Sequence, residues 1–95
     1  MSAYIIAKVE VTDMEQYKEY MKLTPAAIEA FGGKFIARGG EVETLEGPEE
    51  TRRVVLLEFP DLEAARAFWT SEQYKEAKAK REGAAEGSFV LVDGV

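Results

Sequence analysis

The chain is predicted to fold as an α+β sandwich in which one antiparallel four-stranded sheet carries two helices on one face. Two observations predict it. Strand-like segments and amphipathic helical segments alternate in the order β-α-β-β-α-β, the order of ferredoxin-like domains. The four strand segments Tyr4–Val11, Lys34–Arg38, Arg53–Phe59 and Phe89–Val92 are apolar on both alternating faces. A sheet packed on one side only reads apolar–polar, so the second face also needs a cover. Ile5, Val9, Val55, Leu57, Phe59 and Val92 are assigned to one face, and Ile6, Ile36, Leu56 and Leu91 to the other.

The first helix follows strand one. Asp13 is a good N-cap, and Gln16 completes a capping-box pattern. Met14, Tyr17, Met21, Ile28 and Phe31 recur at helical spacing, widened by Tyr20, Leu23 and Ala27. Pro25 lacks a backbone donor and predicts a kink or break near Leu23–Thr24, with Thr24 capping a restart. Gly32-Gly33 ends the helix.

Strand two is interrupted by Arg38-Gly39-Gly40-Glu41, where a bulge is expected, and pairing is expected to resume through Val42–Leu45. Gly47-Pro48 marks the turn into strand three. Glu41, Glu43, Glu46, Glu49 and Glu50, with Arg52 and Arg53 returning beside them, read first as a solvated, charge-paired arm. Their alternative reading is a site for a cation or a basic partner. Pro60 closes strand three and Asp61 caps the second helix, whose stripe is Leu62, Ala65, Phe68 and Trp69. Ser71 caps a continuation carrying Tyr74, Ala77 and Arg81, closed by Gly83. Residues 1–95 are read as a single domain, with strand order 4-1-3-2.

With helices over one face, the other would expose enough large apolar side chains to forfeit on the order of 10 kcal/mol, comparable to the whole stability of a small domain. Homodimerisation through the sheet faces is the expected remedy.

Composition narrows the function classes. Twelve basic against 18 acidic residues give a net charge of −6, which argues against nucleic acid and anionic membrane partners. No apolar run is long enough to span a bilayer, and the first eleven residues lack the basic leader of a signal peptide. The expected location is the cytoplasm. With neither histidine nor cysteine, Ser-His and Cys-His nucleophile schemes, usual zinc sites and histidine-ligated haem are excluded. No cofactor or metal is expected. Carboxylate, tyrosine, lysine and arginine chemistry remains.

Gly32-Gly33, Arg38-Gly39-Gly40-Glu41, Leu57-Glu58-Phe59-Pro60 leading into Ala64-Ala65-Arg66-Ala67-Phe68-Trp69, Ser71-Glu72-Gln73-Tyr74 and the terminal Leu91-Val92-Asp93-Gly94-Val95 occur in this order. In this combination, which spans essentially the whole chain, the sequence resembles the domain-of-unknown-function family numbered thirteen-thirty. The resemblance implies the dimeric α+β barrel superfamily, in which two ferredoxin-like sheets pack face to face. That superfamily includes cofactor-free monooxygenases, muconolactone-type isomerases, haem-degrading enzymes and stress-responsive proteins. The family itself has no settled activity.

Two constellations are candidate sites. Lys8, Arg38 and Glu58 are charges within apolar strands, and a bulge at Gly39-Gly40 would set Arg38 about opposite Glu58, with Lys8 or Glu10 nearby. One reading is an ion pair that fixes dimer register. The other is a catalytic pair, Arg38 holding an anionic substrate and Glu58 acting as base. Tyr17, Tyr20, Trp69 and Tyr74 form the second set, read either as core packing or, with Arg38, as a ligand pocket. The resemblance places such a pocket between helices and sheet. Arg81 reads as a cation favourable at a helix C-terminus, or as an anion ligand. The functional reading is a small dimeric barrel that binds or transforms a small aromatic or carboxylated metabolite. Its alternative is a non-catalytic structural, stress-related or interaction dimer without a reactive pocket.

Overall fold

The computed structural model describes residues 2–95. Its elements are β1 (Ala3–Val11), α1 (Met14–Ala30), β2 (Lys34–Arg38), β3 (Arg53–Phe59), α2 (Leu62–Thr70), α3 (Glu72–Arg81) and β4 (Ala85–Asp93). The sheet is antiparallel, in the order β2-β3-β1-β4. This is the ferredoxin-like arrangement expected, with the second helical segment split in two. No helix among the described residues is long and apolar enough to cross a membrane.

The helix ends follow local chemistry. The Asp13 carboxylate accepts from the Gln16 amide, and the Asp61 carboxylate accepts from the Ala64 amide. Ser71 divides α2 from α3 because its hydroxyl works in both directions. It donates to the Phe68 carbonyl at 2.7 Å and accepts from the Tyr74 amide at 3.1 Å. Gly32 ends α1 at φ +77°, where a side chain would be strained. The Gln16 side chain donates to the carbonyls of Lys80 and Glu82, so the start of α1 also closes the end of α3.

Contrary to expectation, α1 runs unbroken through Pro25. Thr24, Ala27 and Ile28 on either side of it are buried, and the packing of that face outweighs the missing amide bond. The proline still leaves a trace. The Met21 carbonyl, which residue 25 would normally engage, accepts from the Thr24 hydroxyl at 3.5 Å and from Arg38 Nη2 at 3.4 Å.

Pairing assigns the two faces. Ala3, Ile5, Ala7 and Val9 stand opposite Phe59, Leu57, Val55 and Arg53, and this face packs under the helices. Leu91 pairs with Ile5 and Phe89 with Ala7, so both face the helices. Val92 pairs with Tyr4 and belongs to the open face. The expected faces of Leu91 and Val92 are therefore exchanged. Alternation within one strand cannot reveal its register against the next.

The strand irregularity falls between Phe35 and Ala37, not at Gly39-Gly40. Phe35 pairs with Leu57, Ala37 with Leu56 and Arg38 with Val55. With Ile36 as the extra residue, Phe35 and Arg38 share the helix face. Residues 42–45 form no strand. Gly39 donates the last ladder bond, to the Val54 carbonyl, and turns the chain away at φ +68°. The connection 39–52 is loop. Glu50, near its end, reaches Lys8 on the open face at 3.4 Å and Arg52 at 2.9 Å.

The open face carries Tyr4, Ile6, Lys8, Val54, Leu56, Glu58, Val90 and Val92. Val90 is 55% exposed and Val92 44% exposed in the single chain, as is Ile36 at 46% on the neighbouring bulge.

Candidate functional site

A cavity lies between the helix layer and the sheet. Its floor is Ile5, Ala7, Val9, Val55 and Leu57 from the two central strands. Its roof is Tyr17, Tyr20, Met21, Thr24 and Ile28 from α1, with Trp69 and Tyr74 from α2 and α3. Phe35 and Phe89 close the sides, and Arg38 and Arg53 also line it. The interior offers about 40 Å³ to the centres of water-sized molecules. That is room for a few waters, or for one small ring after modest adjustment.

The aromatic residues form a connected set. Tyr20 and Tyr74 meet hydroxyl to hydroxyl at 3.0 Å, which satisfies two buried polar atoms at once. The Tyr17 ring lies 5.2 Å from Tyr20, and Trp69 lies 5.0 Å from Tyr74 and 5.2 Å from Phe89. Burial pushes the Tyr20 hydroxyl well above the usual tyrosine range, reinforced by the adjoining Tyr74 hydroxyl. Burial also raises Tyr17, against the opposing charges of Arg53 and Arg81.

The two arginines stand at neighbouring places on the sheet because Arg38 pairs with Val55 and Arg53 precedes it by two residues. The Arg53 guanidinium occupies the volume that a Cβ on Gly39 would take, so the glycine makes room for it. Arg53 Nη2 lies 3.9 Å from the Met21 sulfur and its guanidinium also faces the Tyr17 hydroxyl, while its buried Nε has no partner among the described residues. Arg38 lies 4.2 Å over the Phe35 ring and donates to the Met21 carbonyl. No carboxylate among the described residues lies within ion-pair distance of either arginine or lines the cavity.

Of the residues singled out in the sequence, Tyr17, Tyr20, Arg38, Trp69 and Tyr74 converge on this cavity. Arg81 does not line it. It is buried behind the wall, 5.4 Å over Tyr20 and 4.5 Å over Phe89, and its Nε has no partner among the described residues. The expected Arg38–Glu58 juxtaposition is not formed. Glu58 faces the other side of the sheet, paired with Lys34 at 3.4 Å and accepting from the Tyr4 hydroxyl at 3.4 Å. Bonding from the Ser2 side chain, then Lys34 and Tyr4, holds its carboxyl below the ordinary value. Lys34 rather than Arg38 stands opposite Glu58, and the bulge at Ile36 then turns Arg38, four residues further on, to the helix face. Lys8 likewise sits on the open face, with Glu50.

Arg53, Thr24, Met21 and Phe89 were missed as lining residues. Arg53 carried a usable signal, since it shares parity with Val55, Leu57 and Phe59. Its place beside an acidic run suggested a surface pair instead.

Fold and cavity together define a ferredoxin-like α+β protein with a small apolar chamber beneath its helices. The chain belongs to the family described as Domain of unknown function (DUF1330), whose model matches residues 2–95. Among solved structures it is similar to a protein of unknown function from Rhodopseudomonas palustris, with TM-score 0.80 and 20% identity over 99% of this chain and 82% of that one. It is also similar to SnoaB, a cofactor-independent oxygenase from Streptomyces nogalater, with TM-score 0.70 and 12% identity over 99% and 93% of the two chains. A dimeric ferredoxin-like protein of unknown function from Jannaschia sp. CCS1 matches with TM-score 0.68 and 17% identity, over 100% and 99%. These likenesses concern the fold. Comparison with the curated proteins gives no match.

Proposed function

We propose that the protein is a homodimeric small-molecule-binding protein whose ligand, an apolar or aromatic molecule of about one ring, sits in the chamber between helices and sheet. One observation carries this reading. Three tyrosines and a tryptophan surround free space together with half-buried Arg53 and exposed Arg38, neither of which reaches a carboxylate among the described residues, whereas a purely structural core is close-packed. SnoaB, a cofactor-independent oxygenase of like fold, supports a role in small-molecule chemistry. The hydrogen-bonding groups among the chamber's side chains are phenols, guanidiniums, an indole and a hydroxyl, all donors near neutral pH. With no carboxylate in the lining, proton abstraction by the chamber itself is disfavoured, and binding is the primary role. Any turnover would depend on the reactivity of the ligand.

The dimer reading rests on the half-exposed apolar open face and on the dimeric ferredoxin-like neighbours. A ligand-free interaction dimer is the second reading, favoured by the small free volume.

A thermal-shift screen against single-ring metabolites decides between them. A compound at 100 times its dissociation constant stabilises the fold by about 2.7 kcal/mol. An Ala7→Leu variant, which fills the chamber floor, is expected to abolish that shift. No shift from any compound would favour the ligand-free dimer, and a shift unchanged in Ala7→Leu would place the ligand outside the chamber.

A further inference from the structure

We infer that the chamber's ligand is a carboxylate, held by Arg53 and Arg38 with its ring or chain among the tyrosines. This rests on the reading of the chamber as a binding site. The argument begins from charge. The chain has 18 acidic and 12 basic residues. Six of the twelve cations pair with a carboxylate among the described residues, Lys8, Lys34 and Arg52 among them, and six do not. Arg53 and Arg38 share one lining and neither reaches a carboxylate among the described residues. The buried Nε of Arg53 has no partner among the described residues, and Arg38 donates to the Met21 carbonyl.

Two backbone features hold the pair in place. Gly39 lacks the Cβ that would displace the Arg53 guanidinium. Pro25 leaves the Met21 carbonyl free of its usual helical donor, and Arg38 takes it. A guanidinium presents parallel N–H groups that match the two oxygens of a carboxylate, and its charge-assisted bonds gain strength away from water. The limited volume and apolar floor disfavour a strongly hydrated dianion such as phosphate. The ligand class is therefore a small aromatic or short-chain monocarboxylate.

Calorimetric titration of the full chain with matched pairs tests this. Benzoate and phenylacetate are compared with benzamide and phenylacetamide, with toluene and inorganic phosphate alongside. Each acid is expected to bind at least tenfold more tightly than its amide, with the preference weakening as salt rises. Arg53→Gln is expected to erase the preference while leaving amide binding in place. Arg53→Lys, which keeps the charge but loses the fork, is expected to restore only part of it.

Equal affinity for acids and amides would overturn the carboxylate assignment and leave the chamber reading standing. Phosphate binding as tight as benzoate, or an acid preference unchanged in Arg53→Gln, would overturn it too. If no acid, amide or toluene binds, the chamber reading falls and the assignment falls with it. Should Arg53→Gln fail to fold, the acid–amide comparison on the unaltered chain still decides.

Discussion

Arg38 is tied to the helix layer by a hydrogen bond from its Nη2 to the main-chain carbonyl of Met21 at 3.4 Å. The bond exists because of a residue four positions along the helix. An ordinary residue 25 would donate its amide to the Met21 carbonyl, and proline has no amide to donate. A feature that weakens α1 thus supplies an acceptor that steers an arginine from β2 toward the chamber.

Replacing Pro25 with alanine is expected to have opposed effects on stability and on the site. The regained helical bond and better propensity should raise stability by about 1–3 kcal/mol, read as a higher urea midpoint. Arg38 then loses its acceptor, and carboxylate affinity is expected to fall severalfold. In an Arg38→Gln background the same proline replacement should leave ligand affinity alone. A Pro25→Ala variant that binds carboxylates as well as the parent would show that the Met21 carbonyl does not position Arg38.

Gly39 offers a second handle on the arginine pair. Its φ of +68° is unfavourable for any residue with a Cβ, and that Cβ would overlap the Arg53 guanidinium. Gly39→Ala is expected to cost about 1–3 kcal/mol. Gly40 has nothing within 4 Å of the corresponding position, so Gly40→Ala should stay within about 0.5 kcal/mol. Guanidinium denaturation of the two variants measures the difference. Similar losses in both would mean that the turn, rather than the arginine, makes the demand at position 39.

Glu50 should leave a signature in the acid limb of the stability curve. Its carboxyl is pushed down to about 2 from an ordinary 4.5, chiefly by the Arg52 side chain, then by the Arg52 amide, with Lys8 assisting. The folded state therefore holds the ionised form more strongly than the unfolded chain does. The resulting stabilisation is fully present above pH 4.5 and is lost as pH falls from there toward 2. Melting temperature against pH should consequently fall less steeply over that window in Glu50→Gln than in the parent. Parallel curves would mean that the loop contact to Lys8 and Arg52 does not persist in solution.

These relationships show which parts of the molecule could be read from the chain. Caps announce themselves locally, so Asp13, Asp61 and Ser71 were legible, as was the split of the second helical segment at Ser71. Tyr17, Tyr20, Trp69 and Tyr74 gather because helical spacing and the strand order send them to one layer. Register was the illegible part. One extra residue at Ile36 moved Arg38 onto the helix face and left Glu58 on the other, and nothing in the local sequence marks a bulge there rather than at the glycines. The continuity of α1 through Pro25 was hidden for a related reason. It depends on the burial of Thr24, Ala27 and Ile28 against partners distant in sequence.

The open sheet face supplies the test of assembly. Val90 is 55% exposed in the single chain and lies beside Ile6 in the ladder, on the face that also carries Val54, Leu56 and Val92. In a monomer a Val90→Glu change should therefore be nearly neutral, within about 0.5 kcal/mol. In a dimer closed sheet to sheet it would place a carboxylate in an apolar interface and meet its symmetry mate, a cost of several kcal/mol. Light scattering at micromolar concentration is expected to give twice the chain mass for the parent and the monomer mass for Val90→Glu, with a marked fall in melting temperature. Glu63 is exposed on the helix layer, so Glu63→Gln serves as a control that should remain dimeric. A parent protein that is already monomeric at micromolar concentration would leave the open face without a second sheet and end the dimer proposal.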